Sequence, residues 1–198
     1  KLSIVLDSNG KAAAVNPSVD QIYTRKNEII PDPAAAAAYE KYTSELAPVL
    51  GEKLGTAAGE LTHDRNTKGT VTLLGRWACD VMREAAGVQV AIQNGGGLRR
   101  SLYKGDITMG DLYEIMPFDN YLVTMELPGS ELKKAIDHGI NNPSITDGQF
   151  SGLRVTYDPE AEQGSSIVSI TLEDGSPVED DEYYTVVIND FMLTGGDK

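Results

Sequence analysis

Residues 94–100 read Asn-Gly-Gly-Gly-Leu-Arg-Arg. Three consecutive glycines let backbone amides approach a ligand closely, and the arginines beside them add fixed positive charge in a planar fork that can grip phosphate or carboxylate through two parallel hydrogen bonds. A loop of this kind suits a small phosphorylated molecule. In isolation the same residues also make an ordinary surface turn with solvated arginines, so the surroundings must decide. Some twenty residues on, Met116-Pro117-Phe118-Asp119-Asn120 places a ring and a carboxamide in a short connection. A nucleobase presents a π face that can stack on such a ring, and an amide offers both donor and acceptor to base or ribose edges. A core phenylalanine is the competing reading of Phe118, but a connection between helix and strand is a poor place for one.

Composition narrows the classes. The chain has 198 residues and 21.3 kDa, with 40% hydrophobic and 24% charged residues, which is ordinary for a globular domain with a short extension. No apolar run approaches the length of a membrane span. A net charge of −13 opposes binding to polymeric nucleic acid and makes Arg65, Arg99 and Arg100 stand out locally. Cys79 is the single cysteine and sits in an apolar helical pattern, as a buried structural thiol would. His63 and His138 are the two histidines, and neither stands in a motif with metal-ligand spacing, so no metal ligands are assigned. His138 reads as a residue near a helix C-terminus, interacting with the dipole. Lys1 is preceded by no methionine and followed by no signal-like segment, so the chain reads as a piece of a longer one.

The elements that must position these residues are legible in outline. Residues 2–6 and 11–15 flank Asp7-Ser8-Asn9-Gly10, whose Asn-Gly pair predicts a hairpin turn. Asp32 as N-cap, Pro33 at the first helical position and the alanines after it predict a helix to about Leu50, kinked near Pro48, with Gly51 and Gly55 loosening the connection beyond. Val71, Leu74, Trp77, Ala78, Val81, Met82 and Ala85 recur at helical spacing, which places Trp77 in the core. Residues 88–92 alternate as a strand, so the glycine loop leaves a strand end. Thr108 to Asp111 form a capping box, Tyr121 to Leu127 a strand, and Ser130 caps a helix to about His138. Three strands follow near 150–157, 166–173 and 183–190. Without regular βαβ repetition, this order predicts an α+β fold with a mixed sheet and packed helices.

Several segments in order now acquire a joint meaning: Gly-Gly-Gly-Leu-Arg from Gly95, Gly-Asp-Ile-Thr from Gly105, Pro-Phe-Asp-Asn from Pro117, Leu-Pro-Gly-Ser-Glu-Leu-Lys from Leu127 and Asp-His-Gly from Asp137. With Asp64-Arg65-Asn66 upstream, and Asn189-Asp190-Phe191 and Gly195-Gly196-Asp197 downstream, they closely resemble the C-terminal domain of the 5′-nucleotidase and UDP-sugar hydrolase family, over residues 56–198. The resemblance implies a substrate-binding domain in which Arg65, Asn94, Gly96, Gly97, Arg99, Phe118 and Asn120 contact a nucleotide or nucleoside, Phe118 being one half of an aromatic clamp. It implies that residues 1–30 are terminal strands of a preceding metallophosphatase domain and that 31–55 form a linker helix and hinge. That partner domain would hold two divalent metal ions and the catalytic residues, leaving this segment inactive alone. It further implies an extracytoplasmic location. The chain departs from the family in Asp119, often glycine there, and in Lys198, where the family continues Gly-Gly-Asp with glycine and then the second clamp aromatic. Phe191 reads as core or supporting packing rather than as its replacement. These departures motivate the rival reading of a non-catalytic binding or adhesion module.

Overall fold

The computed structural model describes residues 2–18 and 30–197; Lys198 lies outside them. The chain forms two compact units, residues 1–47 and 48–198. In the first, β1 (Leu2–Leu6) and β2 (Ala12–Pro17) pair antiparallel. The Asp7 carboxylate accepts from the backbone N–H groups of Asn9 and Lys11 at 2.8 and 3.0 Å, and Gly10 takes φ +77°, the left-handed value the turn requires. Leu2, Ile4 and Leu6 on one face and Val5 on the other are all exposed. Helix α1 (Pro33–Leu50) begins as expected, with the Asp32 carboxylate accepting from Ala34 and Ala35 N–H at 3.0 Å, and it continues through Pro48.

The second unit is built on a four-stranded mixed sheet. Its members are β4 (Val90–Gln93), β6 (Leu122–Pro128), β7 (Gln149–Ser151) and β10 (Tyr183–Asn189), in the order β6-β10-β4-β7. β10 runs parallel to β4 and antiparallel to β6, while β7 runs antiparallel to β4. Alternation along the central strands sorts two packing faces. Val90, Ile92, Val186 and Ile188 join Leu132, Ile136 and Ile140, from helix α4 (Gly129–Gly139) and the residue after it. Ala91 and Val187 point the other way, onto Cys79 and Met82 of helix α2 (Leu73–Ala86). Burial and the neighbouring Asp80 charge push the Cys79 thiol far above its ordinary range, so it packs as a neutral apolar group. A third cluster joins Leu74 and Ala78 of α2 to Leu98, Leu102 and Ile115, the last from helix α3 (Met109–Ile115).

Two short antiparallel pairs complete the unit: β3 (Lys53–Ala57) with β5 (Gly105–Thr108), and β8 (Leu153–Tyr157) with β9 (Ile167–Leu172). Gly55 therefore sits inside a paired strand rather than in a loosened connection. The single strand expected over 150–157 is split at Gly152, whose φ of +90° breaks the extended run. α4 starts at Gly129, not behind a Ser130 cap: the Gly129 and Ser130 N–H groups donate to the carbonyls of Glu182 and Asp180. The Thr108–Asp111 capping box is present as read.

Trp77 is the main correction in the core. It is 38% exposed and, with Val81 and Tyr113, lines a surface groove. The helical period was sound, but the apolar stripe is wider than the buried face, and its outer edge meets solvent. Leu132, fully buried, is the contrasting case. Leu132→Ala is expected to cost about 2–5 kcal/mol in urea unfolding, and Trp77→Ala distinctly less. Equal losses would place Trp77 back in the interior.

Candidate functional site

Strand directions determine where the loops meet. Because β4 and β10 are parallel, their carboxyl ends lie side by side; because β6 and β7 are antiparallel to them, the amino ends of β6 and β7 lie at the same edge. The pairings Gln93 with Gln149 and Asn189 with Leu122 mark that edge. Four segments leave or enter there: 94–100, 190–197, which opens with the short helix α5 (Asp190–Leu193), 117–121 and 141–148. Between them lies a cleft of about 600 Å³, within the range of about 300–1,000 Å³ usual for small-molecule sites.

Its floor is a buried amide network. Asn189 Nδ2 donates to Gln93 Oε1 at 3.0 Å and to Asn94 Oδ1 at 2.8 Å, and Gln93 Nε2 donates to Asn94 Oδ1 at 2.9 Å. Asn94 Nδ2 in turn donates to the Asp197 carboxylate at 2.8 Å. Asn94 therefore lines the cleft with its carboxamide already engaged on both sides, and it is 8% exposed. Its main work is to hold the glycine loop to β10 and to the 195–197 segment.

The three glycines differ in their reasons. A Cβ on Gly95 would stand 2.1 Å from the Asp147 carbonyl oxygen, and one on Gly97 would stand 2.4 Å from Gln93 Nε2. Gly96 faces the cleft, and its nearest neighbour would be the Asp197 carboxylate at 3.8 Å. Gly95→Ala is thus expected to destabilise the fold by about 1–3 kcal/mol through overpacking, while Gly96→Ala stays within about 0.5 kcal/mol of wild type. Thermal or urea melts of the two variants check this.

Around the cleft the structure gathers Arg65, Arg99, Phe118 and Asn120. The Phe118 ring is 51% exposed, and the Arg99 guanidinium lies 5.6 Å from its centroid while donating to the Gly96 carbonyl at 2.8 Å. Among the described residues neither Arg65 nor Arg99 forms an ion pair. Arg100 does: it pairs with Asp111 at 2.7 Å, with Glu114 alongside, and stays out of the cleft. Asn120 donates to Asp190 at 2.8 Å, which leaves its amide oxygen available. That bond, with a second from the Tyr121 N–H, holds the Asp190 carboxyl below the usual carboxylate range. Asp119 is exposed and does not line the cleft. The cleft continues into a polar lobe of about 490 Å³ that shares Arg65, Asn66, Arg99 and Thr146 and adds His63 and Asp64, with no Phe, Tyr or Trp in its lining. The two arginines stand where the aromatic and polar parts join.

Phe191 was misplaced by sequence reasoning. It is 44% exposed and lines the same cleft as Phe118, with Gly196 packed so closely that a Cβ there would fall 2.2 Å from its ring. Asp197 was read only as part of the closing Gly-Gly-Asp segment, and Lys68 and the wall from Pro143 to Thr146 were not singled out at all. One signal was available for the wall: the turn-rich run Asn141-Asn142-Pro143-Ser144 had to join α4 to a strand neighbouring the glycine loop.

His63 props the glycine loop from behind. One ring nitrogen, Nδ1, is 2.8 Å from Thr72 Oγ1, the N-cap of α2, and Nε2 is 3.1 Å from the Gly95 carbonyl. Burial lowers its pKa, and the Arg65 charge pushes the same way. Below pH 6.5, the ordinary histidine value, the unfolded chain takes up a proton that the folded chain resists, so acid favours unfolding through this residue. His63→Gln is therefore expected to show a smaller loss of Tm than wild type between pH 7.5 and pH 5. An equal loss in both would remove His63 from the acid response. His138 Nε2 is 3.1 Å from the Asp197 carbonyl, at the end of α4. Among the described residues no group of three or more His, Cys, Asp or Glu side chains is placed to hold a metal ion.

Residues 53–198 match the family model described as 5′-nucleotidase, C-terminal domain. The chain belongs to that family. It is 36% identical to "Endonuclease YhcR" of Bacillus subtilis over 180 residues, covering 91% of this chain and 14% of that protein. It is 28% identical to "Cell wall protein Lmo0130" of Listeria monocytogenes, covering 92% of this chain and 26% of that one. Among solved structures it resembles the 5′-nucleotidase precursor from Thermus thermophilus with a TM-score of 0.78 and 31% identity, over 99% of this chain and 40% of that one. The chain thus spans well under half the length of each of these relatives. The α+β fold and the family read from sequence are those found here.

Proposed function

We propose that this chain is the nucleotide-binding part of a metal-dependent 5′-nucleotidase-type phosphohydrolase that releases nucleosides and phosphate, with the hydrolytic chemistry carried elsewhere in the longer protein. The observation that carries the reading is the convergence of Phe118, Arg99, Arg65 and Asn120 on one cleft, the aromatic part opening into a polar lobe with both arginines at the junction. A base stacked on Phe118, its edge read by Asn120, directs the sugar and phosphate toward the guanidinium groups. Asp197 is a carboxylate that would repel phosphate from its own side of the cleft, which favours a single orientation of the ligand.

The metal ions of such a reaction have no ligand set among the described residues, and both ring nitrogens of His63 are already engaged within the protein. In this reading the chain contributes binding and orientation. Residues 1–30 are assigned to the end of the catalytic domain and 31–55 to the linker and hinge, although the last of these, 53–55, already pair with β5 as part of β3. The exposed Leu2, Ile4, Val5 and Leu6 support that assignment, since an isolated hairpin with apolar residues on both faces calls for a larger sheet to cover it. We place the protein outside the cytoplasm, in keeping with the name of the Listeria relative. No helix among the described residues is long and apolar enough to cross a membrane.

Calorimetric titration of the chain with adenosine and AMP tests the reading. Both are expected to bind, and Phe118→Ala is expected to weaken both by about 1–3 kcal/mol, the usual worth of a base–aromatic stack. Absence of heat with either ligand would favour the binding-module alternative, and robust phosphate release from AMP by the chain with added divalent metal would overturn the division of labour.

A further inference from the structure

We propose that Lys68 is a positioning residue that staples the 141–147 wall of the cleft to the loop carrying Arg65, and that it does so without touching the ligand. The inference rests on the nucleotide reading of the cleft for its consequence, but its geometry stands by itself. An ammonium group has three protons and no acceptor capacity. Lys68 Nζ donates to the Asn142 carbonyl at 2.8 Å, to the Ile145 carbonyl at 2.5 Å and to Asp147 Oδ1 at 3.0 Å. All three protons have protein acceptors, so none is left for a phosphate, although the side chain lines the cleft beside Arg65 and Arg99.

The other half of the staple is Asp147, whose side chain is only 2% exposed. Its Oδ2 accepts from the Gly69 N–H at 2.6 Å and from the Asn141 N–H at 2.8 Å. One carboxylate thus ties the two ends of the 141–147 loop to each other and to residues 68–69. The loop opens with Asn141 at φ +52°, a left-handed value that asparagine tolerates better than most side chains, and the Asp147 carboxylate holds its N–H there. The wall it presents, Pro143 to Thr146, faces the glycine loop, and the Asp147 carbonyl lies where a side chain on Gly95 would be. Losing the Lys68 charge leaves the Asp147 carboxylate buried without its counter-ion and frees two carbonyls of the wall, so the width of the cleft is no longer set.

The experiment uses the 198-residue chain with Lys68→Met, which keeps the stem but removes the charge and donors, and Lys68→Arg, which keeps the charge. Amide hydrogen exchange and calorimetry with adenosine and AMP are measured on each. Lys68→Met is expected to speed exchange across 141–148 by about tenfold or more, the scale of one lost charge-assisted hydrogen bond, while α2 amides keep their rates. It should weaken adenosine and AMP by the same factor, because a misplaced wall does not distinguish them, and Lys68→Arg should fall between it and wild type in both readings. Unchanged exchange across 141–148 would overturn the staple, and weakening confined to AMP would make Lys68 a direct phosphate ligand instead. If wild type binds neither ligand, the nucleotide reading fails, and the exchange rates alone decide whether Lys68 holds the loop.

Discussion

The parallel pairing of β4 with β10 is the constraint from which the site follows. Parallel neighbours cannot be joined by a tight turn, and here Gln93 and Asn189, side by side at the strand ends, are 96 residues apart in the chain. The intervening chain forms β5, α3, β6, α4, β7 and the short pair β8–β9, and it returns with the carboxyl end of β10 beside that of β4. Everything that leaves those two ends is forced together: the glycine loop on one side, the 190–197 segment on the other. The antiparallel flanking strands bring the Phe118 connection and the 141–148 loop to the same edge. The buried amides of Gln93, Asn94 and Asn189 then secure the junction. A buried amide left unpaired costs about 1–3 kcal/mol, so this network holds well only when all of its members are in place.

Charge is distributed with the same economy. A chain of net charge −13 repels anions at long range, so an anion site must be made by local placement. Arg100 illustrates the alternative fate of an arginine. One residue from Arg99, it turns to Asp111, whose carboxyl is held low first by the Thr108 hydroxyl and backbone and then by Arg100 itself. That pair closes off one cation as structural cement, while Arg99 next to it keeps a guanidinium over an exposed ring.

What was legible in the sequence was whatever local chemistry decides. The Asp32 cap, the Thr108–Asp111 box, the Asn-Gly hairpin and the helical period of α2 all rest on contacts within a few residues, and each is present. Where a partner distant in the chain decides, reading along the sequence misled or was silent. β3 exists because β5 lies beside it, and its glycine pointed the other way. Ser130 is a good cap by type, yet the carbonyls of Asp180 and Glu182 reach the α4 start from across the fold. Trp77 and Phe191 were assigned by the company they keep in sequence, whereas exposure depends on which stretch of chain is folded over them. At the site, Arg99, Phe118 and Asn120 were marked by residue type together with the family resemblance of the segments that carry them. Lys68 carries no such mark, since a lysine among threonines is unremarkable until its three acceptors, all more than 70 residues away, are seen.

Separating recognition from chemistry has an energetic consequence for the proposed function. On that proposal, stacking on Phe118 and contact with Asn120 would involve a part of the nucleotide whose bonding does not change during hydrolysis, and so would stabilise bound substrate and transition state alike. Uniform binding of that kind does not by itself lower the barrier to the chemical step. It can accelerate the reaction only by converting affinity into position, holding the phosphate where a reactive centre elsewhere can reach it. A site with that task needs rigidity more than strength. The buried amide floor, the glycine loop packed directly on the Asp147 backbone and the His63 prop supply rigidity: the first joins side chains across the strand ends, the second sets backbone against backbone, and the third ties the α2 cap to the Gly95 carbonyl.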